Sequence, residues 1–291
     1  RRKGYMIDLM NMSLEHMIAE GYDYSLLGGQ RQRYEYFGYV PAGNGMNFTI
    51  NKGNISRIRN GNTETDFIFE ALDENNADAI AKIKALYDNS PFRAERKEEE
   101  MFDILRSWGC KPYVVYCGGE FKGYFVMKKG YLAEVKAVNT EDLLDIILCI
   151  IKASENESVN FTVPVYDTET CDFMSKRACG MSLCHVEQLN IFNYANFIEA
   201  FLTVKAERMN LCSGTLNVLV HGYAKDEKLA ITVDGKNVTV AETDATPDVE
   251  LDNLEAIAFF AGQYAAKRLS LPAFAQNWFP VDFFMYGLDN V

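Results

Sequence analysis

The sequence has no CxxC pair, no apolar stretch of membrane-spanning length, no surplus of positive charge and only three histidines. Each shortage removes a class of function. The cysteines (Cys110, Cys117, Cys149, Cys171, Cys179, Cys184 and Cys212) are odd in number and lack paired spacing. That argues against a disulfide framework and points to the reducing cytoplasm. Cys179 and Cys184 stand close to His185, but no further ligand at finger spacing accompanies them, so no metal is expected. The longest apolar run, LLDIILCII at 143–151, falls well short of the ~20 residues a spanning helix needs. His16, His185 and His221 are scattered, without a serine or cysteine at motif spacing, which leaves a hydrolytic triad unsupported. A net charge of −12 disfavours nucleic acid as a partner, because neutralising phosphates takes clustered Lys and Arg.

What remains is an ordinary globular composition, 48% hydrophobic and 24% charged. At 291 residues, two or three domains are expected. Charge is unevenly spread. The first 62 residues carry eight Lys/Arg against five Asp/Glu, hence +3, which leaves −15 on the remainder of a −12 chain. A basic opening segment suits a small anionic ligand, while the acidic majority could attract a cation.

Met6, Ile7, Met10, Leu14, Met17 and Ile18 recur at helical spacing, and Gly21 is placed to end that helix. Residues 22–29 read as a short strand closing on a glycine turn, 31–39 as a short helix closed by Gly38, and 48–50 as the start of a strand. The Asn- and Gly-rich stretch 43–64 reads as loop and sets a first boundary. Residues 65–187 follow the order β-α-α-β-β-β-α-β-α-β, including a helix from Glu95 to Trp108, a hairpin over Gly118-Gly119 and a helix capped by Asn139/Thr140. Residues 188–291 hold a helix at 193–209, a strand at 214–223, a hairpin over Asp234-Gly235, a helix at 251–262 and an aromatic tail from Phe279.

Two short stretches resemble a known family. Arg1-Arg2-Lys3-Gly4-Tyr5-Met6, opening a helix, resembles the Arg/Gln-x-x-Gly-x-Gly/Ala loop of GNAT N-acetyltransferases, with Met6 where a small residue is usual. Successive N–H groups at a helix N-terminus present positive charge to a pyrophosphate, and glycine permits close approach. Tyr34-Glu35-Tyr36-Phe37-Gly38-Tyr39 resembles the Tyr-x-x-Phe-Gly-Tyr segment after the fifth strand of that domain. The whole chain is similar to the enhanced-intracellular-survival (Eis) type. The resemblance implies an α+β fold in three parts: the second half of a GNAT domain at 1–64, a degenerate GNAT domain at 65–187, and a sterol-carrier-protein-like domain at 188–291. A strand completing the first domain is then expected upstream of Arg1. In the second domain Asn139-Thr140-Glu141-Asp142 occupies the phosphate-loop position, with two carboxylates where phosphates would approach, and reads as a non-binding copy.

The resemblance also implies an activity: acetyl transfer from acetyl-CoA to a primary amine of a small molecule or a lysine side chain. Residues 1–6 would bind acetyl-CoA, Tyr34 would be the acid that protonates the leaving thiolate, and the main-chain carboxylate of Val291 would be the base. The alternative for Tyr34 is a packing role under the helix, and for the tail, packing of the third domain. Relatives of this type assemble, so a homo-oligomer is expected. Two other readings stay open: a carrier of an apolar ligand in the third domain, lined by Phe274, Trp278, Phe279, Phe283 and Phe284, and an inactive relative whose phosphate loop is spoiled by Met6.

Overall fold

The computed structural model describes residues 4–62, 64–129, 131–153 and 157–289. In chain order it begins α1 (Tyr5–Ala19), β1 (Tyr24–Leu27), α2 (Arg31–Tyr34), β2 (Val40–Ala42), β3 (Gly45–Asn51), α3 (Lys52–Ile58) and β4 (Phe67–Ala71). It continues α4 (Ala77–Asp88), α5 (Glu98–Arg106), β5 (Lys111–Cys117), β6 (Glu120–Lys128), β7 (Tyr131–Ala137), α6 (Thr140–Ala153), β8 (Ser158–Pro164), α7 (Thr168–Ser175) and β9 (Gly180–Cys184). The last part is β10 (Glu187–Ile191), α8 (Tyr194–Arg208), β11 (Gly214–His221), β12 (Asp226–Asp234), β13 (Asn237–Glu242), β14 (Val249–Asp252) and α9 (Asn253–Ala261). The chain is a mixed α/β protein of two compact units. Among the described residues no helix is long and apolar enough to cross a membrane.

One unit joins the segment ending at Asn44 to His185–Phe283. Its first sheet is antiparallel, in the order β1-β10-β2, so a late strand lies between two early ones. Its second sheet runs β13-β12-β11-β14, with β14 parallel to β11. Leu189 and Ile191 from one face of β10 join α8, α9 and the second sheet in a single core around the fully buried Trp278, whose Nε1 donates to Cys212 O at 2.9 Å. Phe279 and Phe283 are packed into the same core, and Phe274 lies against it. The α8 N-terminus is satisfied by a buried carboxylate: Glu227 accepts from the N–H groups of Tyr194 (2.8 Å) and Ala195 (3.2 Å).

On the exposed rim of β11, the protonated His221 ring donates through both nitrogens, to Asp226 at 3.0 Å and Glu250 at 2.8 Å. The Glu250 and Asp226 hydrogen bonds raise its pKa above the ordinary histidine value. A raised folded-state pKa means that its stabilisation is complete below pH ~6.5 and lost as pH climbs through the folded value. The stability difference between wild type and His221→Gln is therefore expected to shrink as chemical denaturation is repeated from pH 6 to pH 9.

The other unit holds Gly45–Cys184 together with the chain end from Phe284. β3 pairs antiparallel with both β8 and β9, and β4-β5-β6-β7 form an antiparallel meander. The apolar helix α6 is buried over eight side chains from Leu143 to Ile151 and packs with both sheets. Burial pushes the Cys149 thiol up to about 11 and the Cys171 thiol up to about 12, whereas Cys179 and Cys212 are exposed. Since the thiolate is the nucleophile, iodoacetamide at pH 8 is expected to mark Cys179 and Cys212 first and Cys149 and Cys171 only after unfolding, as read by peptide mass mapping.

Several elements depart from the sequence expectation. The strand expected from 48–50 is β3, which starts earlier, at Gly45, and the rest of the loop-rich tract holds the unexpected α3, which starts on a capping box in which Asn51 and Asn54 bond each other's backbone N–H. The stretch HVEQLNIF at 185–192 reads as one strand, which is β10, and a separate strand β9 precedes it at Gly180–Cys184. The charged helix begins at Glu98 rather than Glu95, which leaves Arg96 outside it and buried.

Candidate functional site

The site is built on α1 and the turn after β1. Gly4 is the N-cap of α1 at φ 79°, a left-handed conformation that glycine adopts without steric cost, and no side chain caps the helix. Gly4 O accepts from Ile7 N at 2.8 Å and Asp8 N at 3.2 Å, so the Tyr5 and Met6 N–H groups lie ahead of the helical ladder. A Cβ added at Gly4 would meet nothing within 4 Å, and Tyr5 and Met6 are exposed. The helix stops as its sequence dictates. Gly21 N bonds Ile18 O and Tyr22 N bonds Met17 O, with Gly21 at φ 80°, which is a Schellman motif. Arg1, Arg2, Lys3 and Val291 lie outside the described residues.

Tyr34 closes the short helix α2, and its half-buried ring needs the glycine before it. A Cβ on Gly29 (φ 130°) would sit 2.8 Å from the Tyr34 ring. The ring stands edge-on to Tyr39 at 6.5 Å, and it packs in one apolar cluster with Met10, Leu14 and Met17 of α1 and with Leu27, Phe37 and Phe192. The buried α1 member of that cluster is Leu14, ten residues from Gly4, or about 15 Å along the helix axis. Among the described residues the Tyr34 hydroxyl has no hydrogen-bond partner. Its two sequence neighbours divide differently: Tyr36 is 76% exposed, and Tyr39 is buried with its hydroxyl 2.9 Å from Ser25 Oγ. Phe37 and Tyr39 are buried, and Tyr34 is half-buried in the same cluster. Gly38 turns the chain at φ 83°, and the turn is pinned from outside: Asn190 Nδ2 donates to Phe37 O at 3.0 Å and Asn253 Nδ2 to Gly38 O at 3.1 Å.

Sequence reading missed two residues on β10. Cross-strand partners point to the same face, and Ser25 faces Asn190 while Leu27 faces Gln188. Leu27 packs in the α1–Tyr34 cluster, so Gln188 and Asn190 lie on that side of the sheet, opposite Leu189 and Ile191. Both are buried, and neither Gln188 Oε1 nor Asn190 Oδ1 has a hydrogen-bond partner among the described residues. Alternating polar residues in EQLNI read as a solvent face, whereas Leu27, the cross-strand partner of Gln188, packs in the cluster that holds Leu14 of α1.

The tail is docked through its described part. Phe284, Tyr286 and Leu288 are buried, and Phe284 stands edge-on to Tyr166 at 6.4 Å. Asp289 receives Arg96 Nε at 2.6 Å. Arg96 in turn makes two bonds to Glu134, at 3.0 and 2.8 Å, and its guanidinium lies 3.9 Å over the Tyr87 ring. Tyr124 donates to Glu134 at 2.5 Å. Burial pushes the Asp289 carboxyl above its ordinary value despite the Arg96 bond. At the position of the degenerate loop, Glu141 and Asp142 occupy the first turn of α6, and Asp142 accepts from Asn139 Nδ2 at 3.1 Å.

No protein-family model and no curated protein matches the sequence. Solved structures do match the fold. A GCN5-related N-acetyltransferase from Kribbella flavida aligns at TM-score 0.63 and 13% identity, over 98% of this chain and 75% of that one. One from Anabaena variabilis aligns at 0.62 and 15%, over 89% and 68%. Eis1 from Mycobacterium abscessus aligns at 0.58 and 15%, over 97% and 76%. At such identities the likeness concerns architecture, and the architecture of this chain is similar to that of the GCN5-related N-acetyltransferases.

Proposed function

We propose that the protein is an acetyl-CoA-dependent N-acetyltransferase of the Eis type, acting on a primary amine, and that segments 1–64, 65–187 and 188–291 correspond to its GNAT, degenerate GNAT and sterol-carrier-like parts. The observation that carries this reading is that Tyr34 shares one apolar cluster with Leu14 of a helix that opens on an uncapped, sterically open glycine. The first N–H groups of α1, with Arg1, Arg2 and Lys3 before them, suit a diphosphate. The amine nitrogen attacks the thioester carbonyl, the C–S bond breaks, and the thiolate takes the Tyr34 proton. The amine's own proton goes to a general base.

Backbone N–H groups commonly stabilise the oxyanion in such transfers. The acceptor is a small-molecule amine or a lysine side chain, and the protein works in the cytoplasm as a homo-oligomer. The aromatic residues that an apolar carrier would need as a cavity lining are instead packed against one another, Phe259, Phe260 and Trp278 against Phe279. The test is thiol release from acetyl-CoA in the presence of a panel of primary amines, with calorimetry for donor binding. Amine-dependent release is the expected result. Donor binding without any release would leave an inactive relative, and no donor binding would overturn the reading.

A further inference from the structure

Within the unit that holds Gly45–Cys184 and the chain end, α5 and the docked tail line a cavity of about 400 Å³ that the transferase chemistry does not use. Glu100, Asp103 and Ile104 of α5, with Ser107 at its C-cap, follow the three-and-four spacing that puts side chains on one helix face. Glu95, from the segment before the helix, and Leu288 and Asp289 of the tail share the lining. The volume falls in the ~300–1,000 Å³ range of small-molecule sites and far exceeds the ~30 Å³ of one water. Its charge is lopsided. Arg96, the arginine of the lining, is already bonded to Glu134 and Asp289, and Glu100 is paired with Lys97 at 3.3 Å. Glu95 and Asp103 are exposed and neither ion-paired nor hydrogen-bonded among the described residues. A second, independent observation lies in the same place: Ser107 Oγ is shielded from solvent and has no hydrogen-bond partner among the described residues. A shielded hydroxyl left unpaired is costly, and native proteins keep few of them.

The arrangement selects the kind of ligand. An anion is excluded by the carboxylates. A metal ion does not fit either, because no three His, Cys, Asp or Glu side chains among the described residues stand close enough to hold one. The carboxylates therefore face the cavity without converging on a point, and apolar Ile104 and Leu288 share it with them. Two positive charges joined by methylenes match that pattern. We infer that this cavity is a binding site for an aliphatic diamine, one ammonium group donating to Glu95, the other to Asp103 and Ser107 Oγ, with the methylene chain against Ile104 and Leu288. The inference goes beyond the transferase reading and does not depend on it, since it concerns binding alone. It has a consequence for the chain end. Leu288 and Asp289 belong to the lining, so the complete site exists only while the tail is docked, and by linkage an occupied cavity holds the tail in place.

The test is calorimetric titration of the full chain with cadaverine, without any acyl donor, near neutral pH, where both of its amino groups are charged. Three proteins are compared: wild type, the double variant Glu95→Gln/Asp103→Asn, and Glu98→Gln/Glu99→Gln. The last removes the same charge from the same stretch of chain at positions outside the cavity lining. Saturable binding to wild type is expected, weakened about tenfold or more by the first pair of substitutions and unchanged by the second. Equal weakening by both pairs overturns the inference, because a chain of net charge −12 attracts any cation. The absence of saturable heat at millimolar cadaverine overturns it as well, as does equal affinity for butylamine, which has one charge. The tail is followed separately by hydrogen exchange. Cadaverine should slow exchange at 284–289 in wild type and not in Glu95→Gln/Asp103→Asn; unchanged exchange in wild type would break the link to the tail. Failure of the transferase reading leaves all of these measurements interpretable, since none involves turnover.

Discussion

Replacing Arg96 with methionine is expected to lower the unfolding free energy by about 3–5 kcal/mol, the range found when one partner of a buried ion network is removed. The side chain is wholly inaccessible, as is that of Glu134, and Asp289 is 3% exposed. Desolvating three ions is costly, and only the geometry offsets it: two bonds to Glu134, one to Asp289, a ring face beneath the guanidinium and a phenol donating to Glu134. Methionine restores the bulk but leaves two carboxylates facing one another without a cation. The nearby Lys136 does not replace it, because its ammonium is disfavoured by burial and its Nζ bonds Ser90 Oγ. Urea unfolding of the wild type, Arg96→Met and Arg96→Lys measures this. Lysine keeps the charge and loses the planar fork, so it should fall between the two. A loss below about 1 kcal/mol for Arg96→Met would mean that the three groups are hydrated in solution.

The Tyr34→Phe substitution carries the second large effect, a fall in kcat of about 10²–10⁴, the usual worth of a positioned general acid. Phenols ionise near ~10 and thiols near ~8.5, so proton transfer from one to the other is uphill by about 2 kcal/mol, which positioning must offset. The control is favourable. The Tyr34 hydroxyl has no partner among the described residues, and its ring contacts with Gly29 and Tyr39 survive in phenylalanine. Stability should therefore change by less than about 0.5 kcal/mol, and KM for the donor should hold. An unchanged kcat would remove Tyr34 from the chemistry.

What the sequence made legible was local. Gly21 ends α1 through bonds to Ile18 and Met17, and the two hairpins turn over Gly118-Gly119 and Asp234-Gly235, because three or four neighbouring residues determine each outcome. The Tyr34–Tyr39 motif was legible as a motif, but not which of its tyrosines packs, since that depends on Ser25 and on Gly29. Long-range pairing was hidden. Residues 48–50 read as a strand, but nothing near Gly45 announces that β3 will take β8 and β9 as neighbours. Arg96 sat in a run of charges that reads as a solvated helix face. Its burial depends on Glu134 and Asp289, 38 and 193 positions away. The polar pair on β10 was disguised for the same reason: alternation identifies the two faces of a strand without saying what covers either one.

The placement of β10 between β1 and β2 has a consequence for synthesis. Both outer strands leave the ribosome by residue 42, yet the strand that joins them begins at residue 187. At about 5–20 residues per second that is roughly 7–30 s during which two unpaired strand edges wait in the cell. A nascent chain paused inside that interval should be a preferred client of chaperones that shield β-edges, and its release should track the emergence of Ile191 rather than of any earlier residue.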